Sequence, residues 1–507
     1  MSEDQLAAAR PAHPPETTLG DLAAWLRAEG VEVRAARAPE VCVRGLTLSS
    51  QRVLPGDLYV ALPGTRAHGA AYSAAAATAG AVAVLTDATG VEALPPDVPL
   101  LQVDDPRRVL GRLSAHVYGD PAAALRMIAV TGTQGKTTTT RLAEGGLLAA
   151  GVPAAVIGTV GTRIRGQEVR TALTTPEAPD LHALFARMRE EGVHACAMEV
   201  SSHALVMGRV DGVQFDLAVF TNLGRDHLDF HTDVEDYFRA KAMLFTAERA
   251  RRGLVNAGDA SGRRLAAEAE IPIRTFASDG READWRAVDV RSGAAGSSFT
   301  VTGPDGVRVA ASVPLPGAFN VANALAAVAA CAEVGFDPAA VAAGIARGEG
   351  VPGRLERVPG AGGFEVVVDY AHKPDAVAAT LETLRAVTRG RLLVVIGAGG
   401  DRDPGKRPLM GEIAGRGADL VVVTDDNPRS EDPAVIRAAL LAGARRGTAE
   451  VLEIGDRRAA IREALDRARP GDVVLIAGKG HETGQEVGAV VHPFDDRQVA
   501  AEELAAR

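Results

Sequence analysis

The sequence predicts an α/β protein built from three domains. The chain has 507 residues, which is too long for one ordinary core, because a domain holds roughly 100–200 residues. After position 126 an apolar strand runs into a glycine loop and a helix, which opens an α/β unit. In the last third of the chain, strand-like apolar runs alternate with amphipathic helical patterns, as in a parallel sheet covered by helices.

We place the three domains at residues 1–122, 123–351 and 352–507. Short β segments between helical patches predict a small N-terminal α/β domain. In the central domain, residues 288–314 lack a helical period and alternate like an antiparallel insertion, and a helix is expected from about residue 320. The C-terminal domain is predicted to be a Rossmann-like parallel sheet. Its predicted strands are 364–370, 391–397, 419–424, 449–454 and 472–478.

The composition excludes several classes of protein. With 47% hydrophobic and 24% charged residues the chain is typical of a soluble globular protein. A net charge of −10 without long single-sign runs argues against nucleic acid as the main partner. No apolar run reaches the ~20 residues of a membrane span, and the start of the chain lacks an export signal. Three scattered cysteines are too few for a disulfide framework. We therefore expect a cytoplasmic monomer that acts on small molecules.

A candidate phosphate-binding loop lies between a predicted strand and a predicted helix. Backbone N–H groups and the helix dipole at such a junction can cradle phosphate oxygens. Lys136 would reach the terminal phosphates, and the Thr137 hydroxyl would reach a magnesium ion. Val130 stands where a full P-loop has its first glycine, and the alternative is an ordinary turn. We predict a P-loop ATPase-like central domain whose nucleotide contacts are Thr131, Gly132, Thr133, Gln134, Gly135, Lys136 and Thr137.

Four loops that leave the C-terminal strands carry unusual residues. In an open parallel sheet, ligands sit at the carboxyl ends of the strands. We therefore expect these loops to converge on one site. They are DYAHKP (369–374), GAGGDRDPGKR (397–407), DDNPR (425–429) and GKGHE (478–482).

An ordered set of segments resembles the Mur ligases and folylpolyglutamate synthetases. The phosphate loop is similar to the TGTNGKT of that family, with Gln134 where asparagine is usual. The resemblance covers nearly the whole chain, and it implies a ligase that phosphorylates a carboxylate with ATP before an amine displaces the phosphate. The other matching segments are MEVSSHAL (198–205), TNLGRDHLD (221–229), AKAMLF (240–245), GAFNVANALAA (317–327), PGRLE (352–356) and DYAHKP (369–374).

The resemblance implies a magnesium site in the central domain. Glu199 and His227 match the magnesium ligands of the family, alongside Thr137, and each follows an apolar strand. The alternatives are a solvated carboxylate and a histidine satisfied at a strand end. The string DHLDFH matches no common zinc spacing. Lys241 matches a lysine that most Mur ligases are thought to carry as a carbamate, an anion able to ligate a second magnesium; otherwise it is a solvated helix lysine. The implied catalytic residues are Lys136, Glu199, His227 and Lys241.

Further matches concern the other contacts with ATP. Arg354 follows Pro352-Gly353, a turn at the expected hinge, so we expect it to reach ATP only when the domains close. The asparagines of this set have a simpler alternative as helix capping residues. The matching positions are Asn320, Asn323, Arg354, Asp369 and His372.

Two segments resemble the parts of the family that hold a UDP-linked muramoyl dipeptide. Met207 stands where a glutamine is expected, so one substrate hydrogen bond is in question. In the N-terminal stretch LSSQR, Ser49 replaces an aspartate and Gln51 an arginine, and ordinary loop residues are the alternative. The residues carried over are Leu48, Ser50, Thr174, Thr175, Ser201 and Arg209.

The segment Asp426-Asn-Pro-Arg429 resembles the signature of the MurE branch, which adds meso-diaminopimelate. A planar guanidinium can grip a carboxylate through two parallel hydrogen bonds, and lysine and ornithine lack the distal carboxylate. A turn with a surface charge is the alternative. The implied contacts with the diamino acid are Arg402, Asp426, Asn427, Pro428, Arg429, Gly478 and Glu482.

Three interpretations therefore stand. The first is a ligase that uses ATP and Mg²⁺ to join meso-diaminopimelate to the muramoyl dipeptide. The second is the same ligation with lysine or ornithine, or a folylpolyglutamate synthetase-like ligase. The third is a nucleotide-switched binding protein, which would leave Lys241 and the C-terminal loops without a purpose.

Overall fold

A computed structural model of the chain describes residues 7–171, 173–293, 295–360 and 362–507. In this described part, three large sheets follow one another along the chain, each with helices packed on it. This confirms the predicted α/β class with a small N-terminal unit, a central phosphate-loop unit and a C-terminal parallel sheet. No helix in the described ranges is long and apolar enough to cross a membrane.

The N-terminal unit is a five-stranded sheet of order β2-β7-β6-β5-β4, in which β2 runs antiparallel to its neighbour. The helix α1 begins with a capping box between Thr18 and Asp21, which satisfies its first backbone N–H groups. The strands are β1 (Thr17–Thr18), β2 (Val33–Arg37), β3 (Cys42–Val43), β4 (Gly45–Thr47), β5 (Asp57–Val60), β6 (Ala83–Thr86) and β7 (Leu100–Val103); the helices are α1 (Leu19–Ala28), α2 (Ser73–Thr78), α3 (Ala88–Glu92) and α4 (Pro106–Val117).

The central unit holds the strand and helix that flank the phosphate loop. The strands are β8 (Arg126–Thr131), β9 (Ala154–Ile157), β10 (Thr162–Ile164), β11 (Gln167–Val169), β12 (Ala195–Glu199), β13 (Leu217–Phe220), β14 (Gly253–Asn256), β15 (Ile273–Ala277), β16 (Trp285–Gly293), β17 (Gly296–Thr302) and β18 (Arg308–Val313); the helices are α5 (Lys136–Ala149), α6 (Ala178–Glu190), α7 (Ser202–Val206), α8 (Val234–Ala242), α9 (Ala260–Glu268), α10 (Ala318–Glu333) and α11 (Pro338–Arg347).

The order of the central sheet is β11-β10-β9-β12-β8-β13-β14-β15-β16-β17-β18. Strand β8 pairs in parallel with β12 on one side and β13 on the other, so the carboxyl ends of these three strands lie together. The antiparallel insertion expected over 288–314 is present as β16, β17 and β18. The helix expected from about residue 320 is α10, which begins at Ala318.

The C-terminal sheet has the order β19-β20-β24-β21-β22-β23. All five predicted strands are present and run in parallel, while β19 adds an antiparallel edge. The strands are β19 (Glu356–Val358), β20 (Glu365–Asp369), β21 (Leu392–Ile396), β22 (Leu420–Val423), β23 (Glu450–Glu453), β24 (Val473–Ala477), β25 (Gly484–Val487) and β26 (Val490–Pro493); the helices are α12 (Pro374–Val387), α13 (Lys406–Gly417), α14 (Pro433–Ala444), α15 (Arg457–Arg467) and α16 (Asp496–Ala505).

The inner C-terminal strands β20, β24, β21 and β22 read as continuous apolar runs because both of their faces are buried, whereas the edge strand β23 is partly exposed. Along β21, Leu392, Val394 and Ile396 pack into the core on one face, and Leu393 and Val395 pack into the core on the other. Successive side chains of a strand point to opposite faces, so a strand covered on both sides needs apolar residues at every position.

A buried ion pair fixes α16 to this sheet. Arg457 donates to both carboxylate oxygens of Asp496, at 2.7 Å each, and both side chains are fully buried. The same guanidinium donates to the carbonyl oxygens of Ala477 at 3.0 Å and Asp425 at 3.3 Å. It therefore holds the ends of two loops in which site residues were predicted, Asp425–Arg429 and Gly478–Glu482.

We expect Arg457→Met to lower the free energy of unfolding by about 3–5 kcal/mol, because it leaves the Asp496 carboxylate buried without its partner. Urea denaturation followed by circular dichroism measures the change. Arg458→Ala is the matched control: it removes the neighbouring, partly exposed arginine that pairs with Glu502, and should cost less than ~1 kcal/mol. Equal losses of unfolding free energy in the two variants would show that the buried ion pair stabilises the fold no more than the exposed one.

Candidate active site

A cleft of about 440 Å³ lies between the central and C-terminal units. Its walls come from the phosphate loop, from the loops after β12 and β13, from the start of α10 and from the segments around Arg354 and 369–380. Of the residues singled out in the sequence, sixteen line this cleft: Thr133, Gln134, Gly135, Lys136, Thr137, Thr174, Thr175, Glu199, Ser201, Arg209, His227, Asn320, Asn323, Arg354, Asp369 and His372.

The phosphate loop has the backbone that its glycines predict. Gly135 adopts a φ of +85°, in the left-handed region, and a Cβ at this position would lie 2.4 Å from Oδ1 of Asn323. Glycine is therefore required both for conformation and for space. Val130, which replaces the first glycine of a full P-loop, is a fully buried residue inside β8. The tight turn begins only after that strand, so valine is accommodated there.

The segment TNLG (221–224), which follows β13, forms hydrogen bonds with the phosphate loop. The Gln134 N–H donates to Oδ1 of Asn222 at 3.0 Å. The Gln134 carbonyl accepts from the Thr221 hydroxyl at 2.5 Å and from Nδ2 of Asn222 at 3.2 Å. These contacts use the backbone of residue 134, so they do not depend on whether its side chain is glutamine or asparagine.

Lys136 lies at the start of α5 and lines the cleft. Its Nζ donates to the carbonyl oxygens of Gly132 at 2.8 Å and Thr133 at 3.1 Å. Burial lowers the pKa of Lys136 to about 8, with Lys373 and Arg354 acting in the same direction and Glu199 against them. Several cationic groups therefore face one small volume, an arrangement suited to phosphate oxygens.

Glu199 ends β12 and is 1% exposed, so it is not a solvated carboxylate. One carboxylate oxygen accepts from the Thr159 N–H at 2.8 Å, and the other accepts from the Thr159 hydroxyl at 3.1 Å. Among the described residues, no Lys, Arg or His nitrogen lies within ion-pair distance of it. A buried carboxylate that forms no direct ion pair with a protein cation fits a bound cation.

His227 sits on the loop after β13 with a φ of +53°. Its Nε2 lies 3.1 Å from Oδ2 of Asp226, and Lys373 forms an ion pair with the same carboxylate from the C-terminal unit. Burial lowers the pKa of His227 to about 4, so the ring is neutral at pH 7 and keeps a lone pair for a metal. Against the effect of burial, Lys373 and His227 lower the pKa of Asp226 to about 2.

Lys241 is 1% exposed and lies behind the phosphate loop rather than in the wall of the cleft. Its Nζ donates to the Gly132 carbonyl at 2.9 Å and lies 4.4 Å from the centre of the Tyr237 ring. Burial and the charges of Lys136 and Lys373 lower the pKa of Lys241 well below its usual value. The alternative of a solvated helix lysine is therefore wrong.

Arg354 reaches the central unit in this structure. Its guanidinium donates to the Thr137 hydroxyl at 3.2 Å and lies 4.5 Å from the centre of the Tyr370 ring. Asp369 accepts from the Leu355 N–H at 2.8 Å, which fixes the backbone beside Arg354. The two units are therefore already in contact across the phosphate loop.

The two asparagines of α10 do not cap that helix. The helix begins after Gly317, and Asn320 instead donates to the Pro316 carbonyl at 2.8 Å. Asn323 donates to Asn320 at 3.4 Å and lies against Gly135 of the phosphate loop. The capping alternative is wrong, and both asparagines line the cleft.

The residues predicted to bind the dipeptide lie in two separate parts of the structure, the cleft and the N-terminal unit. The Thr175 hydroxyl donates to the Glu199 carbonyl at 2.9 Å, and Arg209 donates to Glu177 at 2.8 Å. The sulfur of Met207, where glutamine was expected, lies 3.2 Å from the same guanidinium. In the N-terminal unit, Leu48 and Ser50 follow β4 and do not line the cleft.

The predicted contacts with the diamino acid form a second group beside the cleft. Asn427 donates to Glu482 at 2.9 Å, and Gly478 has a φ of +119° that brings it against the Asp426 carboxylate. Arg429 donates to Oε2 of Glu486 at 3.0 Å and to the Gly400 carbonyl at 2.7 Å.

The four C-terminal loops therefore converge as predicted. Besides the contacts of Asn427 and Arg429, Lys406 donates to the His372 carbonyl at 3.1 Å, which joins the second loop to the first. The Pro428 carbonyl lies against Gly400, while Arg402 is exposed.

Several residues of the site were missed in the sequence. Lys373, Lys479 and Tyr370 are examples, and Lys479 is fully buried against Asn427 at 2.9 Å. One signal in the sequence could have found the lysines. Of the 55 lysines and arginines in the chain, five are lysine, and these five are the ones around this site: Lys136, Lys241, Lys373, Lys406 and Lys479.

Models of known protein families match three consecutive parts of the chain. The Mur ligase family catalytic domain matches residues 43–118, the Mur ligase middle domain matches 130–331, and the Mur ligase glutamate ligase domain matches 353–480. A relative from Streptomyces avermitilis is 54% identical over 98% of both chains. It is named a UDP-N-acetylmuramoyl-L-alanyl-D-glutamate--2,6-diaminopimelate ligase.

The chain belongs to the Mur ligase family. It is accordingly an ATP-dependent ligase that forms amide bonds in the synthesis of peptidoglycan precursors. A solved structure of a ligase with the same name as the Streptomyces protein matches 97% of this chain and 99% of its own, with a TM-score of 0.67 and 34% identity. The folylpolyglutamate synthase of Mycobacterium tuberculosis covers 73% of this chain, with a TM-score of 0.60 and 21% identity, and so shares the fold.

For Lys136→Ala we expect ATP turnover to fall by roughly 100- to 1,000-fold or more, since a preorganised charge at the phosphates is lost. The melting temperature should change little, because Nζ of Lys136 contacts only loop carbonyls. Phosphate release and thermal unfolding are measured on the same preparation. Near-normal turnover in the folded variant would contradict the nucleotide assignment.

Proposed function

We propose that this Mur ligase joins meso-diaminopimelate to UDP-N-acetylmuramoyl-L-alanyl-D-glutamate and releases ADP and phosphate. The observation that carries the proposal is the grouping of Arg429, Asn427 and Glu482 beside the phosphate cleft. A guanidinium suits the distal carboxylate of the amino acid, and Glu482 suits an ammonium group. Relatives at 45–54% identity from Streptomyces, Corynebacterium and Xanthomonas carry the name of this ligase.

The chemistry requires two anions to meet. A carboxylate oxygen of the dipeptide attacks the γ-phosphorus of ATP, the bond to the β-phosphate oxygen breaks, and ADP leaves. The amine then attacks the acyl carbon, the carbon–oxygen bond to phosphate breaks, and the nitrogen loses a proton. Lys136 and Arg354 neutralise charge on the transferred phosphoryl group, and Asn320 and Asn323 complete the nucleotide side of the site.

Mg²⁺ fits the donor set of the central unit. Glu199 offers a buried carboxylate, Thr137 a hydroxyl that faces the cleft, and His227 a neutral ring nitrogen. When bound there, the ion would neutralise the phosphate oxygens. Thr159 and Asp226 would orient the Glu199 and His227 side chains through the hydrogen bonds described above.

Lys241 is proposed to carry a carbamate. A neutral amine is the form that captures CO₂, and the lowered pKa of Lys241 favours that form. The product is an anion, which would turn the repulsion between Lys241 and Lys136 into attraction and could ligate a second Mg²⁺.

The three units receive separate roles in this proposal. Residues 1–122, with Leu48 and Ser50, bind the UDP-muramoyl end; residues 123–351 bind ATP; and residues 352–507 bind the diamino acid. Thr174, Thr175, Ser201 and Arg209 receive the dipeptide within the cleft. We further propose that the protein acts as a monomer in the cytoplasm.

A different amino acid is the second candidate. Arg429 is held by Glu486 in this structure, so its guanidinium is not reserved for a substrate carboxylate. A relative from Leifsonia xyli, 47% identical over 98% of both chains, is named a UDP-N-acetylmuramyl-tripeptide synthetase without an amino acid. Lysine or ornithine would then be the acceptor.

The proposal is tested by offering the purified protein ATP, Mg²⁺ and the UDP-muramoyl dipeptide together with each amino acid in turn. Phosphate release should depend on both the dipeptide and the diamino acid, with meso-diaminopimelate preferred over lysine and ornithine. Release that needs no amino acid would support a nucleotide-switched protein instead.

Lys241→Ala should lose most activity, and bicarbonate or a short carboxylic acid should restore part of it by supplying the missing anion. Turnover is followed as phosphate release across a series of acetate concentrations, with chloride at equal ionic strength. Arg239→Ala, on the exposed side of the same helix, is the control and should stay active. A fully active Lys241→Ala would show that the carbamate role is wrong.

Arg429→Ala should narrow the preference for meso-diaminopimelate over lysine. We expect a loss of about 2–5 kcal/mol in selectivity, because the distal carboxylate loses its partner on binding. At ~1.4 kcal/mol per factor of ten, kcat/KM for the two amino acids converges by one to several orders of magnitude. Arg416→Ala, an exposed arginine of the same unit, is the control. If the wild type prefers lysine or ornithine, Arg429 instead binds the α-carboxylate that all these amino acids share, or stabilises its own loop.

A further inference from the structure

His231 follows closely after His227, and its ring is hydrogen-bonded to two other segments of the central unit. The residue is 2% exposed. Its Nε2 lies 2.9 Å from the Ser202 hydroxyl, and its Nδ1 lies 3.2 Å from a carboxylate oxygen of Asp236. In its neutral form the ring donates from Nδ1 to the carboxylate and accepts the hydroxyl proton at Nε2. Both ring nitrogens are therefore satisfied.

The two partners of the ring belong to the segments that carry two proposed magnesium ligands. Ser202 begins α7, the helix that follows β12, and Glu199 ends that strand. Asp236 lies in the first turn of α8, and Lys241 lies in the last turn of the same short helix. The ring of His231 thus connects the end of β12 to the start of α8.

The third segment is the turn that holds His227 itself. The His227 carbonyl accepts from the Phe230 N–H at 3.1 Å and from the His231 N–H at 2.8 Å. The Tyr237 ring lies against both histidines, with centre-to-centre distances of 6.0 Å to His227 and 5.1 Å to His231. A residue other than glycine with a φ of +53°, as His227 has, persists only where its surroundings hold it. The backbone of His231 contributes to this hold, and its anchored side chain keeps that backbone in place.

The order Ser202–His231–Asp236 is also that of a hydrolase triad. Ser202 is 1% exposed, however, and does not line the cleft. A substrate therefore has no access to this hydroxyl, which serves to hold the histidine rather than to attack.

We propose that His231 is a positioning residue for the magnesium site. It holds the segments of Glu199, His227 and Lys241 at a fixed spacing. Mg²⁺ demands nearly ideal octahedral geometry, so side chains that support its ligands contribute to its affinity. This inference rests on the magnesium ligands of the proposed function.

His231→Phe keeps a ring in the buried position and removes both hydrogen bonds. The Kd of a non-hydrolysable ATP analogue is measured by calorimetry on the full-length protein, once with Mg²⁺ and once with EDTA in its place. In the wild type we expect Mg²⁺ to tighten binding of the analogue by roughly 10-fold or more, and the variant should lose most of this gain. The Kd in EDTA should change little, because the phosphate loop keeps its own contacts.

Ser202→Ala removes only the hydrogen bond toward the end of β12. The cap of α7 remains, because the Ser201 side chain accepts from the Ala204 N–H. This variant should lose part of the gain from Mg²⁺, and it decides the question alone if His231→Phe does not fold. Ser114→Ala is the matched control, since it removes a fully buried hydroxyl that donates to the Leu110 carbonyl at 2.7 Å in the N-terminal unit. It should keep the whole gain.

A merely structural role of His231 would lower the melting temperature and leave the effect of Mg²⁺ on the folded protein unchanged. A full gain from Mg²⁺ in the folded variants therefore overturns this inference and leaves the proposed function standing. If Mg²⁺ does not tighten binding of the analogue even in the wild type, the proposed magnesium site fails and the inference falls with it.

Discussion

Lys136 and Lys241 donate to the same carbonyl oxygen, that of Gly132, and the chemistry of the site depends on this arrangement. Two ammonium groups around one acceptor repel each other, and burial makes the second charge still more costly. Lys136 faces the cleft and is placed to meet phosphate, while Lys241 is buried behind the loop with a pKa far below its usual value. The Gly132 carbonyl thus contacts two different lysines: Lys136, which faces the cleft, and Lys241, whose burial favours the neutral amine.

Two further cations of the cleft, Lys373 and Arg354, come from the C-terminal unit, so the site is complete only where the two units meet. Lys373 pairs with Asp226, which orients His227, and Arg354 donates to Thr137. Each contact crosses from the C-terminal loops to the central ones. Neighbouring loops of the same unit carry the proposed amino-acid contacts, so the proposed phosphate and amine sites lie side by side where the C-terminal loops pack against the central ones.

Local patterns predicted most of the fold, and the family resemblance supplied most residues of the cleft, but neither revealed the side-chain pairs that join the units. Four of the five predicted C-terminal strands were found because both of their faces are buried. The hairpin of Gly484–Val487 and Val490–Pro493 is largely exposed and has no such pattern. The pairing of Asp226 with Lys373 joins residues 147 positions apart, which no local spacing reveals. The partner of Arg429 within the protein, Glu486, was likewise missed. The position of the lysines was the overlooked signal, because the basic residues in the rest of the chain are arginines.

In the proposed reaction a carboxylate is phosphorylated before the amine attacks. This order of steps can be measured with a muramoyl dipeptide whose reacting carboxylate carries ¹⁸O. The bond that forms joins this oxygen to phosphorus, and the bond that later breaks joins it to carbon. Mass spectrometry of the released phosphate should therefore find one ¹⁸O atom for each amide bond formed. Phosphate without the label, released while the amide is made, would contradict the account.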